Sequence, residues 1–536
     1  MDTFNLSKFV DNILHRHKDK NLDTLIIWKV IRDSLTISKL VDNLAEAFRL
    51  PPDDIEEDLK DFGFGDLVTR NNLQKNQEKC LYEGKQSQLR ICDEANMLNP
   101  FPDLFRVNAQ PGFLEPISIP NNHKEPLFSL FQSVPTTFSS DPFIKLYRED
   151  VLGYLKEYMQ SNAPQIKEYV SQRFSDGHPK YLVTTGIGAN EQFNHFIASN
   201  NNNNSNRRLT WLVINSPKRL SLLPEDANLD NTLFMEFSRS SLTEETVKIH
   251  EYTPRDAHRI VFSNSGPLFE LGRRDGNLIQ TLPDQVSGRY GRNKTPILLA
   301  PMDVAGMDIK EFWKNIDNAI SAFNIYDSNS LPVVIAKYLF LHQREEMRNF
   351  IYLGCNDDSL ILLADEFVQY WNEGINKGGN DLLISRFFGL PRDSHMNVEG
   401  LLGNRDSKMA FFLLRTNMRS DMPHTLVSQM IDPIDKRHEG LHFGDEEVIL
   451  AFANYKRFAD LMPTILLEIP CKPSLKHAAI IGQLFADVTL VYASLIGTNP
   501  GSNPEVKEVR ERSAQLLSTS AERIRNGQRI EKAIAD

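Results

Sequence analysis

Cysteine is scarce: four residues, Cys80, Cys92, Cys355 and Cys471, serve a chain of 536. They are scattered without metal-ligand spacing, so the sequence argues against a zinc module or a disulfide scaffold and predicts reduced structural thiols. No uninterrupted apolar run is long enough to cross a bilayer, and the opening MDTFNLSKF lacks the basic-then-apolar order of a secretory signal. A cytoplasmic protein without membrane association is expected. Excess positive charge is missing as well. A formal charge of -11 and a pI near 5.7 disfavour nonspecific attraction to nucleic acid, while leaving room for a local basic pocket that holds an anion.

What is present suits a chain with more than one core: 41% of residues are hydrophobic and 24% charged. Residues 1–73 read as a small unit of their own. Leu22, Leu25, Ile26, Trp28 and Ile31 keep helical spacing, Thr36 can cap a second helix through Phe48, and Pro51 and Pro52 open a third through Phe62. A short strand-like stretch, Leu67 to Thr69, follows, which gives a winged-helix pattern. In a DNA reader the third helix would face phosphates, but here it carries Asp53, Asp54, Glu56, Glu57, Asp58 and Asp61. The run IWKVIRDSLTISKLVDNLAEAFRLPPDDIEEDLKDF resembles the PqqD-type peptide-binding domains. That resemblance implies an extended peptide partner at a sheet edge; a helical cap on the main body is the alternative reading.

Residues 74–140, with NPFPDLF, QPGFLEPISIP and NNHKEPLF, read as a connector rich in turn formers. Short apolar strands then alternate with helices. YLVTTGIG, LTWLVINS, LFMEFSRS and RIVFSNS predict one parallel sheet in residues 141–325, and PVVIAKYLFLH, RNFIYLGC, KMAFFLLR and PTILLEIP predict another in residues 326–510. Residues 511–536 read as a C-terminal helix. The predicted class is therefore α/β, two parallel-sheet modules with helices on both faces. Asn200 to Asn204 read as a surface-loop expansion without function.

Two turns in the first module suit an anion. FSRSS at a strand end, before a helix opening near Thr243, would offer the hydroxyls of Ser238, Ser240, Ser241 and Thr243 and the charge of Arg239 at a positive helix end. The same cluster before EET also reads as a helix cap. GIGANEQ places Gly186 and Gly188 at a strand-to-helix turn, a pattern common in α/β proteins.

Five segments then follow in a fixed order: GIGANEQ, SRSSLTEET, SGRYG, NEGINK and RDSHMNVEGLLG. With SGRYGRNKTPILLAPMDVAGMDI and the stretch from Tyr370 through Arg405, they resemble the phosphoglucose isomerase family, over roughly Asp141 to Arg510. The resemblance implies two sugar isomerase modules, no metal or organic cofactor, and interconversion of glucose 6-phosphate and fructose 6-phosphate through an enediolate. By it, Glu373 is the proton-shuttling base and Arg289 the transition-state cation. Ser238, Arg239, Ser240 and Thr243 hold the phosphate with Gly188 and Asn190 nearby, and His395 assists ring opening from a neighbouring subunit. A homodimer follows from that last role.

The chain departs from the family pattern in three places. Ala189 and Asn190 stand where Gly-Ser is usual, Arg239 replaces a Lys, and Arg510 occupies the position of the ring-opening Lys, with Lys507 one helical turn earlier. Arg stays protonated and donates protons poorly. A noncatalytic sugar-phosphate sensor therefore stands beside the isomerase as the second reading.

Overall fold

The computed structural model describes residues 99–109, 148, 152–186, 189–202, 209–238, 244–282, 290, 294–346, 348–376, 383–390, 402–403, 405–419, 437, 441–501 and 504–525. The chain divides into two compact units, Met1–Glu94 with Leu114–Lys124, and Ala95–Phe113 with Glu125–Asp536. Every described residue belongs to the second unit. The winged-helix or PqqD-like reading of residues 1–73 lies outside the described residues.

The first sheet contains Tyr181–Thr185 (β2), Thr210–Ile214 (β3), Thr232–Phe237 (β4), His258–Phe262 (β5) and Leu278–Gln280 (β6), ordered β3-β2-β4-β5-β6 and parallel throughout. Nearly every residue of β2, β4 and β5 is buried, as a sheet covered on both faces requires. The second sheet contains Phe350–Cys355 (β7), Leu383–Gly389 (β8), Lys408–Arg415 (β9) and Thr464–Ile469 (β10), ordered β10-β9-β7-β8 and parallel. An antiparallel edge strand, Arg106–Ala109 (β1), pairs with β10. It falls inside the stretch read from sequence as a connector.

Both sheets reverse in the same way. Among the parallel strands of each, the first in chain order (β2 or β7) has the next strand on one side and the third on the other, so a crevice opens at the carboxyl ends between β2 and β4 and between β7 and β9.

The helices that matter for the site are Ala189–Asn202 (α1), Glu244–Tyr252 (α2), Ile309–Ala322 (α3), Asp358–Gly374 (α4), Leu475–Leu495 (α5) and Pro504–Arg525 (α6). Helix α5 forms the centre of the second core: Phe485 stacks on Phe367 of α4 at 4.4 Å and meets Phe411 of β9 edge-on at 5.9 Å. Its length and hydropathy match a membrane span, yet 94% of that apolar window is buried within the fold.

Three sequence expectations differ from the structure. PVVIAKYLFLH, read as a strand, lies in the helix Leu331–Glu346, because a short apolar run has no periodicity that separates strand from buried helix. The C-terminal helix begins at Pro504 rather than at 511. Asn200 to Asn202 end α1 instead of starting a loop. The Asn202 amide donates to the Trp211 carbonyl at 2.7 Å and accepts from its N–H at 2.9 Å, and Asn201 donates to the Leu209 carbonyl at 3.1 Å. These asparagines hold the edge of β3.

Candidate functional site

At the first crevice, β2 runs into Gly186 and α1 begins at Ala189, while β4 runs into Ser238 and α2 begins at Glu244. Thr185 and Glu236 are register partners, so the two strand-to-helix turns singled out from sequence are neighbours in space. Ser238 is buried, and its N–H donates to the Phe262 carbonyl at 3.1 Å. Its backbone donor is thus committed to β5. Arg239, Ser240, Thr243 and Gly188 lie outside the described residues, as does the side chain of Asn190.

Beneath this crevice lies a closed ionic layer. Glu236 of β4 and His250 of α2 meet at 2.5 Å, and the other ring nitrogen of His250 lies 3.2 Å from Asp275, with all three side chains buried. Arg274 donates to Asp275 and, with burial opposing and His250 assisting, holds that carboxyl down at about 2. Arg259, also buried, donates to the carbonyls of Thr253 at 2.9 Å and of Pro254 at 2.5 Å. This layer fixes α2, and with it the turn that ends β4, against the sheet. Nothing in the sequence reading identified it, because Glu236, His250, Arg259 and Asp275 belong to four separate elements.

The second crevice is occupied by the protein itself. Asn356 donates to the Arg415 carbonyl at 2.9 Å and accepts from its N–H at 2.8 Å, while Arg415 pairs with Asp357 at 2.9 Å. Asp357 also accepts the Ser359 N–H at 2.8 Å and so caps α4. Helix α4 then carries the chain away from this lock. Glu373 lies 16 residues beyond Asp357, about 24 Å along a helix at 1.5 Å per residue, so it cannot serve the second crevice.

The direction of α4 brings Glu373 towards the first module. Helix α1 packs against α4, and Ala198, Ser199 and Asn202 from the C-terminal half of α1 line one cavity with Leu362 from the N-terminal half of α4. The C-terminal half of α1 therefore lies beside the N-terminal half of α4.

Tyr290 of SGRYG packs on the end of α4 that carries Glu373. Tyr290, buried, stacks on Tyr370 of α4 with ring centroids 5.2 Å apart and planes 13° from parallel, and its hydroxyl donates to the Tyr370 carbonyl at 3.3 Å. That hydroxyl occupies the space where a Cβ on Gly374 would sit. Such an aromatic pair contributes about 0.5–1.5 kcal/mol beyond its buried area. Arg289 precedes Tyr290 and lies outside the described residues, but its neighbour is fixed one residue from Glu373. Glu373 is half-buried and accepts from Gln369 at 2.9 Å.

A buried charge cluster surrounds Asp487 of α5. Arg148 pairs with Asp487 of α5 at 3.4 Å and donates to the Ile320 and Phe323 carbonyls at the end of α3. Gln483 donates to Asp487 at 2.8 Å. Lys294, four residues after Tyr290, is fully buried within the field of both. Burial depresses its ammonium to about 8, against the attraction of Asp487, and burial likewise raises the Asp487 carboxyl despite the two cations.

Among the described residues no group of three or more His, Cys, Asp or Glu side chains is arranged to hold a metal ion. Of the other expected residues, His395 lies outside the described residues. Lys507 and Arg510 lie on α6 with side chains that are not described.

With strand order, crevices and helix directions in place, the solved structures provide the comparison. A hypothetical protein from Thermus thermophilus superposes with a TM-score of 0.58 at 18% identity, over 77% of this chain and 100% of that one. A glucose-6-phosphate isomerase from Chlamydia trachomatis superposes with a TM-score of 0.53 at 12% identity, over 82% and 86%. The chain thus shares its α/β fold with both. In sequence, the chain is 23% identical over 294 residues to a glucose-6-phosphate isomerase from Mycoplasmopsis pulmonis, which covers 53% of this chain and 64% of that protein. The match thus spans less than two thirds of that relative's length. No family model matches the chain.

Proposed function

We propose that the protein is an aldose–ketose isomerase of phosphorylated sugars that interconverts glucose 6-phosphate and fructose 6-phosphate. The observation that supports this reading is the docking of Tyr290 on Tyr370 and Gly374, which holds the residue after Arg289 one position from Glu373 at the end of α4. Aldose–ketose interconversion needs a base that moves a proton between adjacent carbons and a cation that stabilises the enediolate. Glu373 is the base in this reading and Arg289 the cation. The Ser238 hydroxyl, with Arg239, Ser240, Thr243, Gly188 and Asn190, takes the phosphate at the crevice. His395 of a second copy opens the sugar ring, which makes the working unit a homodimer. Lys507 donates the ring-opening proton and Arg510 contributes charge, since a guanidinium keeps its proton.

The test is a coupled assay of the purified chain with fructose 6-phosphate and with glucose 6-phosphate, alongside calorimetric titration of each. Turnover in both directions supports the isomerase. Binding without turnover would replace it with a noncatalytic sensor, a reading favoured at one point by Arg510 at the ring-opening position. Lack of both would remove sugar phosphates from the account.

A further inference from the structure

A second site lies at the outer edge of the first sheet. Strand β3 is an edge strand, and its pairing with β2 fixes which of its backbone groups point outwards. Thr210 N–H donates to the Lys180 carbonyl on the β2 side, so the even-numbered residues of β3 bond inwards and Trp211 and Val213 point out. The outward groups of Trp211 are met by Asn202, whose carboxamide supplies one acceptor and one donor in the manner of a neighbouring strand. Val213 comes next. It is buried, and among the described residues no side chain meets its N–H or C=O as Asn202 meets those of Trp211. An open N–H and C=O on a strand edge is a ready template for pairing with another chain.

Val213 lines a cavity of about 390 Å³ between α1, β3, the turn Pro217–Leu222 and α4. Ala198, Leu222 and Leu362 supply apolar walls, whereas Arg219, His195 and Ser199 supply a cation and polar groups. Glu191 holds His195 at 3.5 Å and also accepts from Asn215, so its charge is engaged within the protein. Arg219 remains the charged group at the cavity rim, exposed to solvent.

We propose that this cavity binds the C-terminal end of an extended peptide, with one backbone amide paired to Val213 and the terminal carboxylate held by Arg219. Asn202 closes the strand edge at Trp211, so the ladder has room for a chain end and not for a long added strand. The carboxylate complements the guanidinium, which suits a bidentate partner. The apolar walls accept the last side chain. This site is separate from the crevice between β2 and β4 and does not depend on the isomerase reading.

Calorimetry with the full chain tests it, using six-residue peptides ending in Gly-Ala, Gly-Leu or Gly-Phe as acids, the same peptides as C-terminal amides, and acetylated dipeptides of the same three ends. The proposal predicts saturable binding of at least one hexapeptide acid, weakened by about tenfold or more in its amide and in Arg219→Gln. Bound acid should also slow hydrogen exchange at the Val213 amide. Leu222→Glu, which changes the wall and leaves the strand intact, should weaken binding without moving Tm. No saturation by any acid up to about 10 mM would overturn the proposal and leave water as the occupant. Equal binding of acids and amides, or binding of acetylated dipeptides alone, would overturn it as well.

Discussion

Gly374 is where a single missing side chain makes room for another residue's hydroxyl. A methyl group there would overlap the buried Tyr290 hydroxyl, while meeting Thr489 only at ordinary contact distance. Gly374→Ala should therefore force Tyr290 off Tyr370 and displace the segment that carries Arg289. Overpacking of this kind costs about 1–3 kcal/mol. The expected outcome is a modest fall in unfolding free energy together with a fall in isomerase turnover of more than tenfold, about 1.4 kcal/mol in barrier. Tyr290→Phe in the Gly374→Ala background removes the overlapping oxygen and should restore part of both. Thermal melts and steady-state rates on the two variants check this; full turnover in Gly374→Ala would separate Tyr290 from the site. Residues such as Gly374 are hard to read in a sequence. NEGINK shows an acid near a helix end, but that its glycine receives a tyrosine from 84 positions earlier emerges only in three dimensions.

At the scale of elements, α5 begins with a titratable cap. Ser474 and His477 form a reciprocal capping box in which the Ser474 N–H donates to His477 Nδ1 at 3.2 Å, a bond that needs the neutral ring. Burial holds the His477 ring down at about 4, from 6.5 in the free side chain. The unfolded chain thus binds one more proton than the fold between these values. Stability supported by this cap is complete above pH 6.5 and is lost as pH falls towards 4, by about 3 kcal/mol in all. His477→Gln keeps the capping pattern without titrating. Urea unfolding at pH 7, 5.5 and 4.5 should show a flatter pH dependence for the variant; an unchanged slope would place the acid sensitivity elsewhere.

The elements themselves were unevenly legible. Strands β2, β3, β4 and β5 stood out as short apolar runs between turns, and RNFIYLGC, KMAFFLLR and PTILLEIP marked β7, β9 and β10. LISRFFG, which forms β8, was missed because Ser385 and Arg386 break its apolar run. The first crevice was legible because glycine and serine clusters follow β2 and β4. The lock of Asn356, Asp357 and Arg415 was not, since it joins a helix cap to the end of a strand 58 residues away.

Across the whole molecule, Arg148, Asp487 and Lys294 link the start of the first module, the stretch after Tyr290 and the core helix of the second. Removing one partner from such a cluster leaves buried charge uncompensated. Asp487→Leu should destabilise the protein by about 3–5 kcal/mol, and adding Arg148→Met should recover part of the loss. Denaturant unfolding of the two variants decides; an additive double variant would mean the charges act independently.

The central claim is that Glu373 moves a proton between adjacent carbons of a sugar phosphate. Its most direct measurement is NMR of deuterium incorporation at C2 of glucose 6-phosphate, with the chain in deuterated water, compared with Glu373→Gln. The carboxamide keeps the shape of the side chain but cannot accept the proton. The account predicts exchange in the natural chain and its loss in the variant, with sugar-phosphate binding retained in both. Exchange at the same rate in Glu373→Gln, or none in the natural chain although it binds the sugar phosphate, would contradict it.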